Sequence, residues 1–164
     1  MSGRVLVAGV GNIFLGDDAF GSEVAQRLLR EKWPEDVHVR DFGISGLDLT
    51  FALLDGWDTV ILVDVSPRGG EPGTLYTMEA EPIEGAPETM DAHAMDPLRV
   101  LAAAKAMGAH WNRLLVVGCE PSPGAVDPDG CPGMSPAVEH AVEEAAQMVR
   151  RMICGLTSVS SAGS

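Results

Sequence analysis

Acidic side chains follow each of four strand-like runs in this sequence, and they are the residues whose types and spacing could do chemistry. They are Asp17 and Asp18 after the first run, Asp41 after the second, Asp64 after the third and Glu120 after the last. Because open parallel sheets bind ligands at the carboxyl ends of their strands, we expect these acids to converge on one edge. His93 immediately precedes a predicted helix, so its imidazole can reach the same edge.

A metal ion would explain this grouping of acids. Carboxylates held at one edge repel each other, and burial raises their pKa values unless a cation is bound. Asp18, Asp64 and His93 form a mixed carboxylate and imidazole set, which suits nickel, zinc, manganese or iron. The set therefore predicts a metal site with positions left open for water or substrate.

Each candidate also has a purely structural interpretation. Asp17 or Asp18 can cap the first helix, and Asp41 can form a turn before a glycine. His93 can be a histidine at a helix start or on the surface. Asp64 is harder to explain in this way, because a charge that ends an all-apolar buried strand needs a partner, which favours a functional role.

The sequence lacks the signatures of several other kinds of site. It contains no GxSxG elbow, no HExxH motif and no GxxxxGK[ST] phosphate loop. The pair Gly9 and Gly11 lacks the third glycine of a dinucleotide fingerprint, since Phe14 stands at that position. Cys119 has no evident neighbouring base, so we interpret it as a packing residue at a strand end.

The elements that must position these residues follow from the apolar pattern. Runs 5–8, 60–63 and 114–117 are apolar at every residue, which is typical of strands buried on both faces of a parallel sheet. Run 37–40 alternates between apolar and polar residues, as an edge strand would. Residues 72–76 begin an extra strand at a sheet edge, and this strand can be parallel or antiparallel to its neighbour. Helical spacing covers residues 22–32, 46–54, 97–107 and 135 to about 154.

The order of these elements predicts an α/β fold. We expect a single three-layer domain over residues 1–156, with a mostly parallel twisted sheet flanked by helices on both faces. Residues 79–92 are acidic and proline-rich and predict a mobile surface loop. Residues 157–164 consist almost wholly of Ser, Thr, Ala and Gly and predict a flexible C-terminal tail.

Composition narrows the classes of partner. The 164 residues include 11 Lys and Arg against 24 Asp and Glu, which gives a formal net charge of −13. Such a field repels phosphate backbones and anionic lipid, so neither nucleic acid nor a membrane is expected as a partner.

The three cysteines form no CxxC pair, and the first apolar run is too short for a signal peptide, which predicts a cytoplasmic chain. We expect no further exposed apolar face once the two helical layers are assigned, so we predict that the protein is a monomer.

Several short motifs follow one another along about 130 residues of the chain. They are Val5 to Gly21, with Leu15-Gly16-Asp17-Asp18; Asp41-Phe42-Gly43-Ile44-Ser45-Gly46; Val63-Asp64-Val65 with Pro72-Gly73-Thr74; His93 before an amphipathic helix; Val117-Gly118-Cys119-Glu120-Pro121; and Met134 to Val138. The series resembles that of the [NiFe]-hydrogenase maturation proteases, endopeptidases that trim the large-subunit precursor. Ala19 stands where that family usually has glycine, and Phe42-Gly43-Ile44 replaces Gly-Gly-Thr. Neither change removes a proposed ligand.

The resemblance implies a fold, a site and a substrate. The fold would be phosphorylase/hydrolase-like, and Asp18, Asp64 and His93 would recognise nickel already inserted in the [NiFe]-hydrogenase large-subunit precursor. The nickel would thus be supplied by the substrate precursor, and a short C-terminal peptide would be removed from the loaded form. Either the metal or a carboxylate such as Asp41 would activate the attacking water, so Asp18, Asp64, His93 and Asp41 are the candidate catalytic residues.

Two other functions remain open at this point. One is a non-enzymatic, nickel-dependent chaperone or binding protein that holds the precursor without cutting it. The other is a small nucleotide-binding domain that uses the first glycine turn. A fall in precursor mass on incubation separates the first from a protease, and stabilisation by nucleotides would favour the second.

Overall fold

The computed structural model describes residues 3–80, 96–123 and 133–162, with side chains up to Thr157. The strands are β1 (Val5–Val10), β2 (Val37–Gly43), β3 (Thr59–Val65), β4 (Leu75–Ala80) and β5 (Arg113–Cys119). The helices are α1 (Phe20–Leu29), α2 (Gly46–Leu54), α3 (Pro97–Ala106) and α4 (Pro136–Ala162), and one 3₁₀ turn covers Gly16–Ala19. The order of strands and helices confirms the predicted α/β arrangement.

The strands of the described segments form one sheet in the order β2-β1-β3-β5-β4. β1 pairs in parallel with β2 and β3, and β3 pairs in parallel with β5. β4 is antiparallel to β5 and lies at the edge opposite β2. Both predicted edge strands are confirmed, and the carboxyl ends of β1, β2, β3 and β5 point to the same side of the molecule.

Helices cover both faces of the sheet and bury its central strands. All six residues of β1 and the first five of β3 are buried, as their unbroken apolar runs predict. On one face, Val63 of β3 packs in a core with residues of α1 and α4 such as Val24 and Val142. On the other face, Leu62 packs with residues of α2 and α3 such as Leu101.

Two glycines let α1 lie unusually close to the sheet. A Cβ on Gly9 would meet the carbonyl of Gly21 and the Cβ of Ala25, and a Cβ on Gly21 would meet the carbonyls of Val10 and Val63. A side chain at either position would therefore push α1 away from β1. This close approach keeps the 3₁₀ turn that precedes α1 at the carboxyl edge of β1 and β3.

Several boundaries differ from the prediction. α1 runs from Phe20 to Leu29 instead of 22–32, and Trp33 Nε1 donates to the carbonyl of Leu28 at 2.7 Å where the chain leaves the helix. Glu79, predicted to begin a loop, continues β4 because it pairs with Leu115 in the ladder and forms a 2.5 Å ion pair with Arg113. Ala80 also belongs to β4, and residues 81–92 of the predicted loop lie outside the described residues.

α4 is longer than predicted. It extends to Ala162 instead of ending near residue 154, so residues 157–162, predicted to belong to a tail, have helical backbone. Thr157 Oγ1 donates to the carbonyl of Ile153 at 3.0 Å, which shows how a polar residue is accommodated in the last turns. In the described segments, no helix is both long and apolar enough to cross a bilayer.

Candidate active site

The turn after β1 places Asp18 at the carboxyl edge of the sheet. The backbone N–H of Asn12 donates both to the carbonyl oxygen and to Oδ2 of Asp18, each at 3.1 Å. Burial raises the pKa of the Asp18 carboxyl, and the Asn12 N–H opposes that rise. α1 begins after Ala19 without a side-chain cap, so the interpretation of Asp18 as the cap of this helix is wrong.

Asp64 occupies the second-last position of β3, next to Asp18 at the same edge. Its pKa is raised to about 8, mainly by burial and also by the negative charges of Asp18 and Asp96, against the Val65 N–H that donates to Oδ1 at 2.8 Å. A carboxyl with this pKa is largely protonated at neutral pH. A cation bound beside Asp18 and Asp64 would remove both the repulsion and the cost of burying the charge.

Asp96 lies near Asp64 at this edge and was not among the residues predicted from the sequence. It caps α3 through Oδ1, which accepts from the Leu98 N–H at 3.1 Å, and Oδ2 lies 3.5 Å from Arg99 Nε. Its charge reaches Asp64, and the two line the same cavity of about 510 Å³, together with apolar side chains such as Met78. The signal was present in the sequence, since Asp before Pro is a strong helix-start pattern.

His93 lies outside the described residues. Within the described segments, no three His, Cys, Asp or Glu side chains are grouped closely enough to hold a metal ion. The structure thus brings together two of the three predicted ligands, Asp18 and Asp64. The assignment of His93 as the third ligand stays a prediction.

Asp41 lies apart from this pair. It is paired with Gly9 in the β1–β2 ladder, so β1 separates it from β3 and Asp64. Its Oδ1 accepts from the Gly43 N–H at 2.9 Å and its Oδ2 accepts from Gln26 Nε2 at 3.0 Å. Gly43 has a φ of +56°, a left-handed conformation that the Asp41 carboxylate helps to hold. These bonds match the turn-forming interpretation of Asp41, and its role in water activation stays a prediction.

Asp17 is fully buried and joins distant loops. Its Oδ1 accepts from the Ser135 N–H at 2.6 Å, and its Oδ2 accepts from the Ser122 N–H and from Ser135 Oγ, each at 2.8 Å. It therefore fixes the segment after β5 and the start of α4 against the turn that carries Asp18. Neither member of the Asp17-Asp18 pair caps α1.

Glu120, the acid after β5, is also structural. It is 4% exposed and accepts hydrogen bonds from the N–H groups of Arg68 and Gly70, each at 2.9 Å, and from the Tyr76 hydroxyl at 2.7 Å. The Tyr76 bond, with the backbone N–H groups, lowers the pKa of Glu120. Its carboxylate holds the connection between β3 and β4 and does not join Asp18 and Asp64.

Cys119 lacks the exposure and the thiol pKa of a nucleophile. The side chain is fully buried in the core shared with α1 and α4. The pKa of the thiol is raised to about 12, mainly by burial and in part by the charges of Asp17 and Glu120. A thiol with this pKa has almost no reactive thiolate near neutral pH, which confirms the packing role predicted for it.

Comparison with known proteins defines the class of this molecule. Residues 22–152 match the family model HycI, described as hydrogenase maturation protease. The coenzyme F420 hydrogenase subunit delta of Methanothermobacter thermautotrophicus is 34% identical over 154 residues, which cover 89% of this chain and 92% of that protein. The hydrogenase 2 maturation protease of Escherichia coli is 28% identical, over 89% of this chain and 88% of that protein.

The fold agrees with the sequence match. The solved structure of the hydrogenase maturating endopeptidase HybD from Escherichia coli superposes with a TM-score of 0.73, at 28% identity, over 89% of both chains. These likenesses define an α/β endopeptidase. The chain belongs to the hydrogenase maturation protease family.

Proposed function

We propose that this endopeptidase removes a short C-terminal peptide from the nickel-loaded large-subunit precursor of a [NiFe] hydrogenase. Family membership supports the class of substrate, since the relatives are named for hydrogenase maturation. In the proposal, Asp18, Asp64 and His93 bind the nickel that the precursor already carries. The nickel is thus part of the substrate, and its recognition places the scissile peptide at the carboxyl edge of the sheet.

The raised pKa of Asp64 is the observation that supports a cation at this edge. Burial of Asp64 and the negative charges of Asp18 and Asp96 all disfavour the ionised form of its carboxyl group. A divalent cation favours the ionised forms of both Asp18 and Asp64 and would therefore bind with release of a proton from Asp64. Carboxylate oxygens with an imidazole suit nickel, so the donor set fits the proposed substrate.

The residues of this chain contribute mainly by holding the substrate. Orientation of a peptide bond and a water in one geometry can contribute roughly 7–11 kcal/mol to barrier lowering. A covalent path through Cys119 is disfavoured by its thiol pKa of about 12. The attacking water is activated either by the nickel of the precursor or by a carboxylate, and Asp41 remains the candidate for the second case.

The site of action that we propose is the cytoplasm. Cys119 and Cys154 are both free thiols, which fits a reducing compartment. We also propose that the protein acts as a monomer, because a second copy would bring a second formal charge of −13 to any contact between copies.

Nickel dependence is the decisive property of this function. The cognate large-subunit precursor is prepared with and without nickel, incubated with this protein, and weighed by intact mass spectrometry. We expect a C-terminal peptide to be lost from the loaded precursor only, and His93→Ala to abolish that loss. Binding of the loaded precursor without any change in its mass would contradict an endopeptidase and favour a chaperone.

A further inference from the structure

Within residues 3–80, 96–123 and 133–162, no strand pairs with the outer edge of β2. β2 is an edge strand of the described sheet. Val5 donates from its N–H to the carbonyl of Asp36 at 2.8 Å. In a parallel ladder, the backbone groups of successive residues alternate between facing the neighbouring strand and facing away from it. Because Asp36 faces β1, the N–H and C=O groups of Val39 and Asp41 face away from β1. Such a row of backbone groups is a template for an added strand.

Two depressions lie along this edge, and Asp41 and Phe42 line both. The larger has a volume of about 820 Å³ and lies between α1 and α2. The smaller, of about 290 Å³, lies between the loop after β1 and the turn after β2. Asn12 lines the smaller one and donates its N–H to Asp18. We call the two depressions together the β2 groove; it leads from the free strand edge to the loop that holds Asp18.

The walls of the β2 groove carry exposed apolar side chains. Those that are 36% to 83% exposed are Ile13, Phe14, Leu29, Ile44, Phe51 and Leu54. The expectation that no apolar face remains beyond the helical layers is therefore wrong. Single exposed apolar residues are ordinary, but a contiguous set beside a free strand edge marks an interaction surface.

Charge distinguishes between two possible occupants of this surface, a second copy of this chain and a segment of a different protein. The lining of the larger depression includes Asp41, Asp48 and Asp55 against one cation, Arg40. A second copy of this chain would bring the same acids and a formal charge of −13 to the contact. An occupant of opposite charge is favoured, so the surface suits an apolar and basic segment of a different protein.

We propose that the β2 groove binds an extended, apolar and basic segment of the precursor, which adds to β2 as a further strand. The inference rests on the proposed function, because it takes the precursor as the substrate. Main-chain bonds to Val39 and Asp41 hold the segment, and its alternate side chains face Leu29 of α1 on one side of the sheet and Phe51 of α2 on the other. The groove thereby aligns the segment with the edge that carries Asp18 and Asp64.

Kinetics of precursor processing test this surface. The variants are Leu29→Asp and Phe51→Asp, one on each wall, with Met107→Asp as a matched control. Met107 is 62% exposed, against 59% for Phe51, and lies beyond the end of α3. With the cognate nickel-loaded precursor, both groove variants should raise KM about tenfold and leave kcat within about twofold. The control should change neither value, and unchanged KM in both groove variants would overturn the proposal.

Hydrogen exchange separates this proposal from the proposed function. Addition of the loaded precursor to the wild-type chain should slow amide exchange in residues 38–42. If the precursor is not cut but still protects these amides, the docking surface stands and the endopeptidase assignment fails. If the precursor is cut while these amides exchange as before, the docking surface is overturned and the assignment stands. Protection that appears without precursor and grows with protein concentration would assign the surface to a second copy and overturn the proposal.

Discussion

Asp17 and Ser135 are joined by two hydrogen bonds across 118 residues of chain. The Ser135 N–H donates to Oδ1 at 2.6 Å and its hydroxyl donates to Oδ2 at 2.8 Å. Because Asp17 directly precedes Asp18, this contact ties the start of α4 to the turn that carries a candidate nickel ligand. Two adjacent aspartates thus differ in their contacts: Asp17 joins distant segments of the fold, and Asp18 is the one that we propose as a nickel ligand.

Asp17→Ala should destabilise the protein strongly. The substitution leaves the N–H groups of Ser122 and Ser135 and the Ser135 hydroxyl without their acceptor, at a cost of roughly 2–5 kcal/mol in the free energy of unfolding. Urea denaturation followed by circular dichroism measures this loss. Asp18→Asn is the matched comparison: because burial disfavours the Asp18 carboxylate, this variant should unfold at or above the wild-type midpoint and yet fail to process the precursor. Equal midpoints for Asp17→Ala and the wild type would refute the structural role.

Asp64→Asn should stabilise the protein, and more so as the pH rises. The folded-state pKa of Asp64 is raised to about 8, above its ordinary value of 3.8, so the cost of ionising Asp64 in the folded state grows as the pH rises between those two values. The asparagine variant removes this cost. Its advantage in unfolding free energy over the wild type should increase from pH 5 to pH 8 by an amount on the order of 1–4 kcal/mol. A constant or shrinking advantage across this range would show that Asp64 is not held neutral by its surroundings.

Alkylation should distinguish Cys119 from Cys154, the two cysteines that the structure describes. Cys119 is buried and its thiol pKa is raised to about 12, whereas Cys154 is exposed. Iodoacetamide at neutral pH should therefore modify Cys154 and leave Cys119 unmodified until urea is added, as peptide mass spectrometry would show. Cys119→Ala should still process the precursor. Loss of processing in a folded Cys119→Ala protein would revive a thiol nucleophile.

Tyr76→Phe should weaken the connection between β3 and β4 at neutral pH. The Tyr76 hydroxyl donates to Glu120 at 2.7 Å and is the main cause of that residue's lowered pKa. A lowered carboxyl pKa contributes stability above the unfolded-state value of 4.5, and the contribution is lost as the pH falls. The thermal midpoint of Tyr76→Phe should lie below that of the wild type at pH 7, and the two should approach each other near pH 3. A gap that widens on acidification would contradict this account.

Much of the fold follows from local pattern. The unbroken apolar runs of β1 and β3 require cover on both faces, and the alternation at Val37 to Arg40 fits an edge strand, so the sheet could be predicted from sequence. The end of α4 could not, because Ser and Thr after residue 156 resemble a tail by composition, whereas Thr157 bonds back to the helix.

The site could be predicted only in part. Asp64 was identifiable because its charge ends a buried apolar strand. Acids that follow different strands can have unrelated partners in space. The local sequence around each acid does not reveal those partners. Glu120 bonds to a tyrosine 44 residues away, and Asp17 bonds to a serine 118 residues away. Asp41 shows the same limit, since its oxygens serve the turn at Gly43 and the side chain of Gln26.

The most direct test of the proposed nickel-recognition site is the processing of the nickel-loaded precursor by Asp64→Asn. The substitution keeps the shape of the side chain and its ability to accept from the Val65 N–H, and it removes the charge that would bind nickel. Glu144→Gln, an exposed position on α4, is the matched control. Intact mass spectrometry over time should show full loss of the C-terminal peptide with the wild type and the control, and less than about one hundredth of that rate with Asp64→Asn. Processing by Asp64→Asn at the wild-type rate would contradict the claim that this carboxyl edge recognises the metal of the precursor.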